Sequence, residues 1–303
     1  MTVQQGIQEQ RGAERPTTHA SAATRPAARK RQGSGMDRKP KAAVVVTVLF
    51  FALLYLPIFA VVVFSFNRKK SLAVFDGWSL QWYDAFVHDS VLTHSLGTSI
   101  EVAAVAMVGS VVLGTALAFG LVRARTRLGG AANFIMLIPL VTPEIVTGVA
   151  SLMLLKGVGL QPGLATLMIA ETTFSISYVT VILRSRVAEL NPEVEEAAMD
   201  LGATRAQAVR LVTLPLLWPA ILSSAILIFT IVFDDFVLAF FTTGVSPQPL
   251  SVRIYSAIRF GVQPSINAVG TLMLLGSIVL IVISLVLPRL LGRSGSGLDL
   301  FKS

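Results

Sequence analysis

The chain of 303 residues has no cysteine. Disulfides, thiolate metal ligands and a cysteine nucleophile are therefore excluded. Histidine is almost as scarce: His19, His88 and His94 are the only three, and none has a partner at metal-ligand spacing. Charge is thin, with 14% Asp, Glu, Lys and Arg against 53% hydrophobic residues and a mean hydropathy of +0.72. A soluble domain of this length needs more polar surface, so the composition is that of an integral membrane protein. The sequence also lacks a phosphate-cradling GxxxxGK[ST] loop, an HExxH pair and a Ser/His arrangement. It therefore has no ATP site of that kind and little material for hydrolytic chemistry. The adjacent carboxylates Asp234 and Asp235 are a poor geometry for two acids sharing a proton.

Long apolar runs make up most of what is there. A membrane-crossing helix needs about 20 such residues, and runs of that kind fall at 43–66, 90–122, 131–155, 164–183, 218–242 and 267–291. The expected fold class is all-α, a polytopic membrane protein with six transmembrane helices. Residues 1–41 are basic and rich in Ala, Arg, Gln, Ser, Thr and Pro, with no apolar periodicity. They are expected to be a disordered tail. The tail does not read as a signal peptide. Its charge fits a role in orienting the first span better than it fits nucleic-acid binding.

Of the 25 Lys and Arg, nineteen fall in the tail, the 123–127 loop, the 184–210 stretch and the C-terminal end. The opposite loops hold six: Arg68, Lys69, Lys70, Lys156, Arg253 and Arg259. Positive charge marks the cytoplasmic side, so both termini are expected there. The domain plan is a tail at 1–41, a transmembrane domain at 42–293 with a cytoplasmic loop at about 189–217, and a second tail at 294–303. On the other side, Trp78, Trp82 and Tyr83 fit a short helix anchored at the lipid interface. Pro247, Pro249 and Pro264 rule out one continuous helix across 244–265. Together these two outer loops offer a docking surface for an external protein.

The stretch at 191–219 is a polar island between two apolar segments. Asn191 can cap a helix that starts at Pro192, and Glu193, Glu195 and Glu196 place negative charge at its dipole-positive end. Gly202 supplies the left-handed residue that ends it. Thr204 with Gln207 forms a capping-box signature for a second helix, which Pro215 and Pro219 are expected to close or kink.

The same residues form a spaced pattern: Glu196-Ala197-Ala198, three residues, Gly202, nine residues, then Val212-Thr213-Leu214-Pro215. This pattern resembles the EAA loop of binding-protein-dependent ABC importer permeases. The resemblance implies the type I importer permease fold. It also implies that Glu196, Ala197, Ala198, Asp200, Gly202, Ala203, Leu214 and Pro215 form the surface that docks on an ATP-binding cassette subunit. ATP and Mg would then belong to that dimeric partner, with no cofactor or metal in this chain.

Acidic residues within the apolar runs are the remaining signal. Glu101, Glu144, Glu171, Asp234 and Asp235 all fall there, with no Lys or Arg comparably deep. Such carboxylates are costly unless they face a polar cavity or a partner. Glu144 lies about 13 residues into its run and Asp234 about 16, roughly 20 and 24 Å at 1.5 Å per residue. On one continuous helix Asp234 and Asp235 would diverge by about 100°. Pro139 and Pro143 free backbone carbonyls just before Glu144. Glu144, Asp234 and Asp235 are the expected path residues, and Glu101 and Glu171 are expected to be structural.

LIPLVTPEIVTGVASLMLL and TIVFDDFVLAFFTTG, with the loop GVSPQPLSVRIYSAIRFGVQPSINAVGT, resemble the second permease of spermidine/putrescine importers in the polyamine, opine and phosphonate group. Glu171 stands where many relatives carry histidine, and Ser177 precedes Tyr178 where proline is common. The resemblance implies a cationic cargo, a second homologous permease completing the path, and an external or periplasmic solute-binding protein. Aminophosphonates, opines and other organic cations stay open as cargo. An ion-coupled transporter or cation channel is the alternative from another class, and it has no use for the island.

Overall fold

The computed structural model describes residues 41–70, 74–123, 128–245, 247–259 and 264–292. The expected tails, apart from Lys41, lie outside the described residues, as do Arg125 and Arg127 of the basic loop. Thirteen helical segments follow one another: α1 (Lys41–Phe64), α2 (Gln81–His88), α3 (Ser90–Arg123), α4 (Leu128–Val141), α5 (Glu144–Gly157), α6 (Leu164–Glu189), α7 (Glu193–Asp200), α8 (Arg205–Ala208), a π-helical turn (Val209–Thr213), α9 (Leu214–Asp234), α10 (Val237–Thr242), α11 (Leu250–Arg259) and α12 (Pro264–Gly292). Among the described residues the nearest thing to a sheet is one isolated bridge between Asn67 and Trp78. The described residues divide into two units, one up to Ala52 and the other from Leu53 onward.

Among the described residues five helical stretches are long and apolar enough to cross a membrane, and the bent pair α4–α5 makes six if counted as one broken span. The span expected at 131–155 is broken in two. The chain turns through 112° between α4 and α5. Pro143, at φ −56° and ψ 133°, stands at the turn because it has no N–H to continue the ladder. The span expected at 218–242 is also two pieces, α9 and α10, with Asp235 and Phe236 between them.

The centre of the second unit is α3 packed on α6 and α9. In lipid there is no hydrophobic drive between helices, so close contact depends on small side chains. Ser99, Ala103, Ala106, Ser110, Gly114 and Ala118 supply that stripe on α3, all buried. A Cβ on Gly114 would stand 2.7 Å from Cβ of Val179, so α6 approaches as closely as glycine permits. Thr180 donates to the Gly114 carbonyl at 3.4 Å. Between α9 and α12, Ser223 and Ser284 each donate to the other's carbonyl, at 3.1 and 3.2 Å.

Trp82 and Tyr83 lie on the short helix α2, as expected, while Trp78 precedes it. Trp82 Nε1 donates to the Asn67 carbonyl at 2.6 Å, Tyr83 pairs with Ser65, and Phe66 packs on both Trp78 and Tyr83. These rings therefore hold the loop after α1 together as well as presenting Trp78 outward, 67% exposed.

Candidate functional site

Both helix ruptures open onto one cavity of about 300 Å³. Glu144 and Thr147 reach it from the start of α5, Glu171 and Phe174 from α6, and Asp234 to Leu238 from the α9–α10 break. Gly148 lets α5 and α10 meet there: a Cβ would fall 2.7 Å from Cδ2 of Phe241. The expected path residues Glu144, Asp234 and Asp235 are thus brought together. Glu171, expected to be structural, lines the same cavity and is 2% exposed, with Asp235 and Glu144 as acidic neighbours. Glu101 is exposed and takes no part.

Asp234 and Asp235 do not share one continuous helix, because α9 stops between them. Asp235 acts as the cap of α10: its carboxylate accepts from the amides of Val237 at 3.0 Å and Leu238 at 3.2 Å. Its carbonyl, freed by the break, accepts from Ser251 at 2.7 Å. Asp234 instead closes α9 and accepts from Ser277 of α12. Among the described residues no Lys, Arg or His pairs with Glu144, Glu171, Asp234 or Asp235. The cavity therefore gathers four carboxyl groups with no basic partner among the described residues. No group of three or more His, Cys, Asp or Glu among the described residues is placed to hold a metal ion.

A second locus lies where α3 and α6 end against α7 and the π turn. Asn191 accepts from the Glu193 amide at 3.1 Å and so starts α7 as expected. Gly202 ends it at φ +94°. Thr204 and Gln207 form the reciprocal capping box, at 2.8 and 3.4 Å. Pro215 does not close the second helix. Leu214 N donates back to Val209 O in a π bond, and the widened turn carries the chain past a residue without an N–H into α9. Glu196, Ala197, Asp200, Gly202 and Pro215 are exposed, and Ala198, Ala203 and Leu214 are half-buried. A groove of about 550 Å³ beside them is lined by Arg123, Asn191, Glu195, Glu196, Met199 and Arg205, among others.

Residues 110–296 match the family described as "Binding-protein-dependent transport system inner membrane component". The chain belongs to that family. This permease is 38% identical over 238 residues to the putrescine transport system permease protein PotI of Escherichia coli (strain K12), covering 76% of this chain and 85% of that one. It is 36% identical over 239 residues to the spermidine/putrescine transport system permease protein PotC of Haemophilus influenzae, covering 79% and 93%. Among solved structures, a bacterial ABC transporter involved in the import of the acidic polysaccharide alginate superposes with a TM-score of 0.65 at 14% identity, over 82% of this chain and 94% of that one. At that identity the fold is what the two share. The permease is a multi-pass inner-membrane component of an ABC importer, a class that works with an ATPase and a periplasmic binding protein.

Proposed function

We propose that this permease forms half of the path for a small organic dication of the polyamine type, putrescine or spermidine. The observation that carries this reading is the cavity: four carboxylates, from α5, α6 and the α9–α10 break, with no Lys, Arg or His paired to them among the described residues. Unpaired acids at membrane depth favour a cation that brings its own charge and gives it up again on the far side. At about 300 Å³ the cavity suits a small solute. The names of the relatives PotI and PotC agree with that cargo. The imported acidic polysaccharide of the structural neighbour indicates that the fold alone does not select it.

The remainder of the path belongs, on this reading, to a second homologous permease, and a dimer of ATPase subunits docks on the 191–217 segment. Glu196 is exposed there and takes part in no ion pair among the described residues, which leaves it free for a partner. ATP-driven closure of the ATPase pair moves the two segments and switches the bundle between two packings. Both termini and this segment face the cytoplasm, in line with the distribution of Lys and Arg.

Uptake of labelled putrescine by liposomes holding the whole importer, with its binding protein and ATP, tests the cargo. Glu144→Gln and Asp234→Asn are each expected to slow uptake. Unchanged uptake in both would remove the acids from the path. Because the chain has no native cysteine, a single cysteine at Leu201, which is 91% exposed, tests the orientation: labelling by an impermeant thiol reagent from the cytoplasmic side alone is expected.

A further inference from the structure

Glu195 and Glu196 are neighbours on α7 with different surroundings. Glu196 is exposed. Glu195 is turned into the groove, where one of its carboxylate oxygens accepts from Arg123 Nη2 and from Thr213 Oγ1. Arg123 is the last residue of α3, where a positive charge suits the carbonyl end of a helix. Its guanidinium also lies over the Phe119 ring at 5.0 Å, which fixes its plane. Thr213 is the last residue of the π turn, 2% exposed, and directly precedes α9.

These contacts matter because little else holds α7. The helix has no buried residue, and it packs mainly on α8 and the π turn. Among the described residues, the only hydrogen bonds from its side chains to other helical segments are those of Glu195. The pair is partly sheltered, with side chains 23% and 40% exposed, so water competes for it less than for a surface ion pair. Beyond Thr213, the 21 residues of α9 form a rod of roughly 30 Å at 1.5 Å per residue. The rod ends at Asp234 in the cavity.

We propose that Glu195 is a positioning residue: it ties α7 to the base of α9 and the end of α3, so that displacement of α7 is delivered to the acidic cavity. This rests on the docking role proposed above for the 191–217 segment, with Glu196 facing outward to the ATPase and Glu195 facing inward to the spans. An ion pair with a merely structural role would change the stability of the subunit and leave transport per ATP alone.

The test uses the complete importer in liposomes, with copurified ATPase, ATP hydrolysis and putrescine uptake read on each variant. Arg123→Glu is expected to keep the ATPase and hydrolyse ATP while uptake per ATP falls about tenfold, within the range for residues that carry coupling. Combining it with Glu195→Arg restores opposite charges, and Thr213 can accept as well as donate. Uptake per ATP is then expected to return to within about threefold of the starting protein. Thr213→Val, which leaves both charges in place, is expected to cost about threefold. Unchanged uptake per ATP in Arg123→Glu and Thr213→Val would overturn the proposal. A double variant that keeps the ATPase and recovers nothing would overturn it too, as would loss of the ATPase from Arg123→Glu. The docking role is read separately from Glu196→Lys: if the ATPase still copurifies with that variant, it is the docking role that fails.

Discussion

In the 191–217 segment the contacts that start and end the helices each span a few residues: Asn191 to Glu193, Thr204 to Gln207, and the left-handed turn at Gly202. The cavity has no such local author. Its acids come from positions 144, 171 and 234–235, and they meet only because α5, α6 and the α9–α10 break converge. The first region has its helix ends set by neighbouring residues. The second exists only when the bundle is assembled, so its charge is placed by packing elsewhere. A fault in the turns and caps of the segment should therefore act through shape, and a fault in the cavity through charge.

The largest expected effect is on shape. Gly202 has φ +94° with open space around it, so a side chain there meets backbone strain and no neighbour. For an L residue that conformation costs about 1–2 kcal/mol, and more for a β-branched one. Gly202→Val is expected to lose both the copurified ATPase and putrescine uptake; retention of both would show that the turn does not set the docking surface. The next is on charge. Asp234→Asn keeps the partner Ser277 and removes the negative charge, and uptake is expected to fall by a factor on the order of 10 to 100, the equivalent of roughly 1.5–3 kcal/mol for a charged contact. Copurification of the ATPase should be unchanged, and its loss would erase the contrast between the two regions.

Gly148→Ala probes the packing that assembles the cavity. The added Cβ would stand 2.7 Å from Phe241, and overpacking of this kind costs about 1–3 kcal/mol. A lower Tm in detergent together with slower uptake is expected, and an unshifted Tm would mean that the Phe241 ring simply turns aside. Smallest is Thr204→Ala, which removes one cap of a short helix at about 1 kcal/mol. A Tm lower by a few degrees with uptake kept within about twofold is expected, and a loss as large as that of Asp234→Asn would show the segment to be less modular than its contacts suggest.

The contrast also explains what could be read from residues alone. Caps, dipole charges and the glycine turn obey rules confined to neighbouring positions, so the segment was legible almost residue by residue. Pro143 likewise announced the rupture before Glu144, although not its angle. The break after Asp234 carried no proline or glycine; FDDFV reads as part of one apolar span. The missed signal was Asp235 itself, a good cap residue placed ahead of the apolar run that becomes α10. Of the two outcomes expected of Pro215, closing or kinking the helix, the first does not occur, because a π turn absorbs its missing donor. Glu171 could not be separated from Glu101 by sequence, since nothing in either neighbourhood says which of the two faces Asp235. The inward contacts of Glu195 were equally hidden: Arg123 is 72 residues away.

The break between α9 and α10 has a mechanical side. Asp234 is fastened to α12 through Ser277, whereas Asp235 is fastened to α10 through two amides. The two carboxylates are consecutive in the chain yet fastened to different helices, and were both ionised they would repel across the break. A diamine lodged between them would act as a removable staple across the break. The cargo would then stiffen the joint while present and slacken it on leaving, which makes the load itself a component of the machine that carries it.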